Sequence, residues 1–425
     1  MLQILHTPFT QKGYSVIWYK HIQMKGIKKM KKVSLAILAA AIILAAVLIV
    51  LKVIPNDKSK TDNGDKTNVE NNVENNNENN DETNNEAFSP DIVSYNEKLE
   101  GIVEQFQPKE ELDKEVLGHI NGLPISASQV RYAAMYTAYN EEMGITGEEL
   151  ENVATDFYKQ NAAVIALAYE YGIELDDTVN EYMSTSVQAM KEYFGTDEEY
   201  NKYFEGNPYT AYTYHLTTLQ SYLYEQVYAK FCENEDVKNE AVANTLAFYE
   251  ENDYVRAKHI LITFPEGEGE NGEVTEEQKA ATLEKANAVL TEVNAMGDIS
   301  EFDALIEKYN EDPGMTYNPD GYFFTRGEMV PEFEESAYTL EEGKTSGLVE
   351  TTYGYHILLK LPVNDSEAIV NTEKFGEFTT EAFYAMFDER MAAEYEITYA
   401  DGYSERFASY KNEYYETLAE EEVAE

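Results

Sequence analysis

A single cysteine among 425 residues cannot close an intrachain disulfide, and it excludes zinc sites built on several thiolates. Bases are scarce too: 32 lysines and arginines stand against 80 acids, for a formal net charge of −48. A chain this negative repels phosphate backbones, which excludes nucleic acid as a partner. There is no G-x-S-x-G, no H-E-x-x-H and no phosphate-binding loop, so those chemistries have no local support. Aromatic residues, by contrast, reach 12% with 34 tyrosines, far too many for a wholly disordered chain. At roughly 100–200 residues per domain, the length allows two or three domains.

The charge is unevenly spread. Residues 1–54 contain eight lysines and no acid, which leaves −56 on the remainder. From Val33 to Leu51 runs a stretch of nineteen uncharged residues with a single serine. About 20 such residues cross a ~30 Å hydrocarbon core as a helix. The spacing predicts a short basic cytoplasmic segment over 1–32 and a transmembrane anchor over 33–54. Lys25, Lys28, Lys29, Lys31 and Lys32 place the near side in the cytoplasm, and Lys52 snorkels at the far interface. A cleaved signal peptide is the alternative, but the exit Lys52-Val53-Ile54-Pro55-Asn56 offers no small-residue cleavage pattern. Met1, Met24 and Met30 all stand as starts. Residues 55–90 are rich in Asn and Glu and poor in large apolar side chains, the composition of a disordered tether.

The folded body follows. Glu115–Ile120, Asn121-Gly122 and Leu123-Pro124-Ile125 read as a hairpin turning on Asn-Gly, with Ser126 or Ser128 capping a long helical stretch. Phe157, Val164, Ala168 and Tyr171, and again Tyr212, Leu216, Leu219, Leu223 and Val227, recur at helical spacing. These stripes read as helix-on-helix core, the alternative being a tyrosine-lined amphipathic cradle. From residue 254 the pattern changes to strand, two helices (Thr275–Met296 and Glu301–Tyr309), strand, a helix starting at Pro331, and two strands. That order, βααβαββ, describes a small α+β domain.

Several pieces in this region resemble the parvulin family of peptidyl-prolyl isomerases. They are Ala257-Lys258-His259-Ile260-Leu261, Asp312-Pro313-Gly314, Gly327-Glu328-Met329-Val330-Pro331-Glu332-Phe333-Glu334, Gly343, Ser346-Gly347 and Tyr353-Gly354-Tyr355-His356-Ile357. The flanking organisation is similar to that of PrsA-type surface foldases of Gram-positive bacteria and the related SurA-type periplasmic chaperones. The resemblance implies a four-stranded antiparallel parvulin domain over 253–363. It would be inserted in a mainly helical chaperone domain made of 91–252 and 364–425. It implies single-pass attachment to the cell membrane with the body outside, and unfolded or newly exported polypeptides with X–Pro bonds as partners. Association of two copies through the helical domain stays open.

Rotation about an X–Pro bond faces a barrier of ~18–20 kcal/mol, yet breaks no bond, so the resemblance implies no cofactor and no metal. A catalyst has only to bind the twisted amide better than either planar form. The resemblance implies a proline slot of Phe324, Met329 and Phe333. It also implies a polar network of His259 and His356 on neighbouring strands, with Asp312 and Thr351. The two histidines read alternatively as structural groups that hold two strands in register. Asn318-Pro319-Asp320-Gly321-Tyr322 departs from the family's Gly-Gly-Asp-Leu-Gly. The loop Phe264–Glu270 carries carboxylates where phosphate-directed parvulins carry bases, which argues against phosphoserine-proline substrates. Thr316-x-Asn318-x-Asp320-Gly321 lacks the first aspartate and the closing glutamate of a calcium loop, and is not read as one. His119, His215 and Cys232 read as incidental. The alternative function is a non-catalytic holdase whose parvulin domain is vestigial.

Overall fold

The computed structural model describes residues 87–205, 207–269 and 272–424. The expected basic segment 1–32, the anchor 33–54 and residues 55–86 of the linker lie outside the described residues. Among the described residues no helix is long and apolar enough to cross a membrane. The chain forms two compact units, one drawing on residues up to 231 and from 385 onward, the other spanning Cys232–Tyr384.

The first unit opens on α1 (Pro90–Phe106), where the Ser89 side chain accepts from the Ile92 amide and Pro90 sits in the first turn, where no N–H is needed. Composition alone carries the linker to residue 90. In the structure Phe88 already bonds through its amide to the Asn121 carbonyl, and its ring meets Tyr395 edge-on. A short α2 (Glu111–Lys114) precedes β1 (Val116–Ile120) and β2 (Leu123–Ser126). Their turn has φ of 47° at Asn121 and 88° at Gly122, the two left-handed positions of a type I′ hairpin. Ser126, not Ser128, caps α3 (Ala127–Glu142), exchanging bonds with Gln129 in a capping box. Then come α4 (Glu148–Glu170), α5 (Asp177–Phe194), α6 (Asp197–Glu205) and α7 (Ala211–Glu233). The stripe expected on α7 is its buried face: Tyr212, Leu216, Leu219, Leu223 and Val227 are all inside.

The second unit contains α8 (Glu235–Glu251), β3 (Val255–Thr263), α9 (Glu276–Asn294), α10 (Glu301–Tyr309), α11 (Gly314–Tyr317), β4 (Tyr322–Phe324), α12 (Pro331–Thr339), β5 (Val349–Glu350), β6 (Gly354–Leu361) and α13 (Ser366–Ile369). It ends within α14 (Glu373–Ala392). The expected order holds, with the single turn α11 added; four residues are too few to show a period. The four strands form one antiparallel sheet in the order β4-β3-β6-β5. Strand alternation sorts its two faces. Ile260, Ile262, Tyr355, Ile357 and Leu359 pack with Ala286, Val289 and Val293 of α9 and Phe302 of α10. On the opposite face Val255, Ala257, Phe324 and Leu358 pack with Phe333 and Ala337 of α12. Of the strand expected over 346–350 only Val349–Glu350 is regular, because Leu358 donates its amide to the Ser346 hydroxyl and breaks the ladder.

The chain then returns to the first unit. Strand β7 (Ile397–Tyr399) pairs antiparallel with β1, making a third strand that sequence patterning does not show. Asn121 anchors it twice: its amide donates to the Glu396 carbonyl, and its Oδ1 accepts from the Glu396 amide at 2.7 Å. Gly118 lets it approach, since a Cβ there would lie 2.6 Å from the Thr398 carbonyl. Helix α15 (Tyr403–Ala424) lies on α3, with Tyr414 and Leu418 against Met135 and Ala138. Glu413 takes Arg131 through both of its oxygens.

Candidate active site

The antiparallel register pairs His259 with Leu358 and Leu261 with His356, so the two histidines are diagonal neighbours on one face of the sheet. Their rings are 5.1 Å apart between centroids, and Nδ1 of one lies 3.2 Å from Nδ1 of the other. His259 Nε2 is 2.7 Å from Asp312 Oδ2, and His356 Nε2 is 2.9 Å from the Thr351 hydroxyl. The four polar residues singled out from the sequence thus form one continuous chain of hydrogen bonds. Both imidazoles are only 4% exposed.

Local structure fixes each end. Asn310 Oδ1 accepts from the Leu261 amide at 2.9 Å and from the Asp312 amide at 3.2 Å, so one side chain binds the Asp312 loop to β3. Asp312 Oδ1 accepts from the Gly314 amide at 2.9 Å, and its Oδ2 accepts from the Tyr322 hydroxyl at 3.1 Å. At the other end the Tyr353 amide donates to Thr351 Oγ1 at 3.1 Å.

These partners define the protons. Burial alone would raise the Asp312 carboxyl, but the Gly314 amide, His259 and Tyr322 outweigh it and hold it below the ordinary carboxylate range. Burial lowers the imidazoles: His356 falls to about 4, with His259 adding and Asp312 opposing. His259 is also lowered, burial outweighing the contribution of Asp312. At neutral pH an ionised Asp312 only accepts, so His259 Nε2 carries a proton and its Nδ1 is a lone pair. His356 must therefore donate from Nδ1, and Thr351 must donate to His356 Nε2. The network has one direction, from the Tyr353 amide through Thr351, His356 and His259 to the carboxylate.

Apolar groups stand beside this chain. The Phe333 ring meets His259 edge-on at 5.1 Å and His356 at 5.4 Å. Met329 is half-buried against the same cluster, whereas Phe324 is only 1% exposed and packs behind Phe333 at 5.8 Å. Phe333 is itself only 3% exposed, so Phe324, Met329 and Phe333 belong to one apolar cluster on this face.

Sequence reasoning missed three groups here. Tyr322 shares the face of Phe324 by strand alternation, a signal that was available in the sequence. Asn310 opens the run Asn310-Glu311-Asp312-Pro313-Gly314, which fits a common turn signature. Arg256 is buried and donates to the Asp320 carbonyl at 2.7 Å and to Asp365 at 2.7 Å, steadying the turn that enters β4. That turn is where the sequence departs from Gly-Gly-Asp-Leu-Gly. Gly321 has φ of 96°, and its missing Cβ keeps clear of the Ala257 carbonyl, so β4 enters in register. Among the described residues no group of acids, histidines and cysteine is arranged to hold a metal.

Residues 259–361 match the rotamase family of PPIC-type PPIase domains, and this segment is a parvulin domain. Curated relatives are foldases and chaperones. The chain is 28% identical over 236 residues to the foldase protein PrsA of Oceanobacillus iheyensis, covering 54% of this chain and 66% of that protein. It is 44% identical over 84 residues to PrsA of Halalkalibacterium halodurans, covering 20% and 24%. It is 29% identical over 116 residues to the chaperone SurA of Burkholderia pseudomallei, covering 27% and 23%. In each case the match spans less than two thirds of the relative.

Proposed function

We propose that the chain is a prolyl cis-trans isomerase and folding chaperone, anchored by residues 33–54 at the outer face of a membrane, acting on unfolded or newly exported polypeptides. The observation that carries the catalytic reading is the unbroken chain Asp312–His259–His356–Thr351 lying edge-on to Phe333.

The chemistry asks little of such a site. The proline ring sits against Met329 and Phe333, with Phe324 behind them. As the amide twists it loses resonance: its nitrogen becomes pyramidal with a localised lone pair that can accept a hydrogen bond, and its carbonyl oxygen gives up part of its negative charge. Fixed dipoles lower that barrier if they already point the right way, and no proton has to leave the enzyme. Two neutral imidazoles locked in one tautomer each are such dipoles, and Asp312 and Thr351 hold them there.

Prolyl-bond exchange measured by NMR on the full chain with an unphosphorylated X–Pro peptide tests this. Exchange well above that of the peptide alone is expected. It should vanish in His259→Ala, His356→Ala while circular dichroism stays unchanged. Exchange no faster than the free peptide would favour the holdase reading, in which the pocket clamps clients and the double variant still suppresses aggregation.

A further inference from the structure

We propose that Tyr322 is a positioning residue of this site: its hydroxyl pins Asp312 as a pure acceptor and thereby sets the tautomers of both imidazoles. The inference rests on the prolyl-isomerase reading of the site for its consequence in catalysis, but not for its geometry.

A single bond between His259 Nε2 and a carboxyl oxygen does not fix a direction. A protonated Asp312 could donate to an Nε2 lone pair. The proton on His259 would then move to Nδ1, and every later bond in the chain would reverse. What excludes this is the number of donors around the carboxylate. Oδ1 takes the Gly314 amide at 2.9 Å, while Oδ2 takes both His259 at 2.7 Å and the Tyr322 hydroxyl at 3.1 Å. Removing the tyrosine oxygen leaves Oδ2 with one partner and room for a proton.

Two further features show that the fold is built around this hydroxyl. Tyr322 lies opposite Ala257 in the β3–β4 register, two residues from His259, and its ring meets the His259 ring edge-on at 5.8 Å and 81°. Gly314 is cut away for it, since a Cβ at that position would lie 1.9 Å from the Tyr322 oxygen. Any side chain at 314 would therefore displace the hydroxyl from Asp312. Tyr322 and Gly314 form one device, although residues 315–321 separate them in sequence.

The test is ¹⁵N NMR of the histidine rings in the full chain at neutral pH, beside the exchange assay. The unmodified protein should show His259 protonated at Nε2 alone and His356 at Nδ1 alone. In Tyr322→Phe, which deletes one oxygen and keeps the ring, His259 should become a mixture of tautomers. Catalysed exchange should then fall about tenfold in kcat/KM with KM changed less than about twofold, as for loss of a bond to a charged group. Gly314→Ala should reproduce the mixed spectrum, and the double variant should be no worse than the more impaired single one. A His259 spectrum unchanged in Tyr322→Phe overturns the proposal, as do multiplicative losses in the double variant. A protein without isomerase activity whose His259 tautomer still depends on Tyr322 would uphold the positioning role and sink the isomerase reading instead.

Discussion

Two buried imidazole sites in one chain differ in how their ring nitrogens are partnered, and the difference bears on which of them could act on a substrate. In the first unit His215 is entirely inside α7. Its Nε2 meets the Tyr200 hydroxyl at 2.9 Å, and that hydroxyl donates onward to Gln107. Its Nδ1 has no hydrogen-bond partner among the described residues. Aromatic rings enclose it, Tyr200 stacked and Tyr214 edge-on. In the second unit His259 and His356 are nearly as buried, yet all four ring nitrogens are bonded. Burial lowers all three pKa values, so titration alone does not tell them apart. The difference is polar continuity: one site ends in an orphan lone pair, the other in a carboxylate.

The comparison breaks most directly in catalysis. His356→Ala should lower catalysed prolyl exchange about a hundredfold, the scale of losing a preorganised dipole, whereas His215→Leu should leave it within about twofold. Equal losses would erase the distinction. A smaller effect is expected from Asp312→Asn, which keeps the shape but can present a donor to His259; about a tenfold fall in kcat/KM is expected, from loss of a bond to a charged group.

The pH profile sharpens the contrast further. With His356 at about 4 and His259 also lowered, catalysed exchange should be flat around neutrality and decline only below the ordinary histidine midpoint of 6.5. An inflection near 6.5, followed by NMR exchange, would contradict the burial argument. Last and smallest is stability. His215 is lowered to about 3, first by burial and then by Lys191, with Tyr200 and Tyr214 the titratable rings packed on it. Its neutral form is the folded one. The unfolded chain therefore binds the extra proton as pH falls from 6.5 towards 3, and stability drops over that window. His215→Leu removes the orphan acceptor, so at neutral pH the change should be within about 1 kcal/mol. The gap between urea midpoints at neutral pH and mildly acidic pH should narrow; an unaltered gap would mean His215 is not held neutral.

Much of the second unit was legible because its elements carry strong local signals. Pro331 opens α12, Thr275 caps α9, and alternation along β3 and β6 puts both histidines on one face. What escaped had weak or shared signals. The three residues of β7 are too few to alternate, and their place is set by Asn121, whose side chain looked like mere turn chemistry. Tyr322 read as an ordinary strand aromatic, because its partner Asp312 reaches it through a turn rather than along a strand.

The pairing of β1 with β7 and of Arg131 with Glu413 has a consequence for biogenesis. Those partners are separated by up to 282 positions, so the first unit cannot close until residue 413 has been made. The second unit, continuous over Cys232–Tyr384, is under no such constraint. At ~5–20 residues per second of synthesis, the 29 residues from 385 to 413 take about 1.5–6 s to follow it. For that interval the α1–α7 segment waits with its apolar faces uncovered. The nascent protein is thus briefly the kind of unfinished chain that it is proposed to assist.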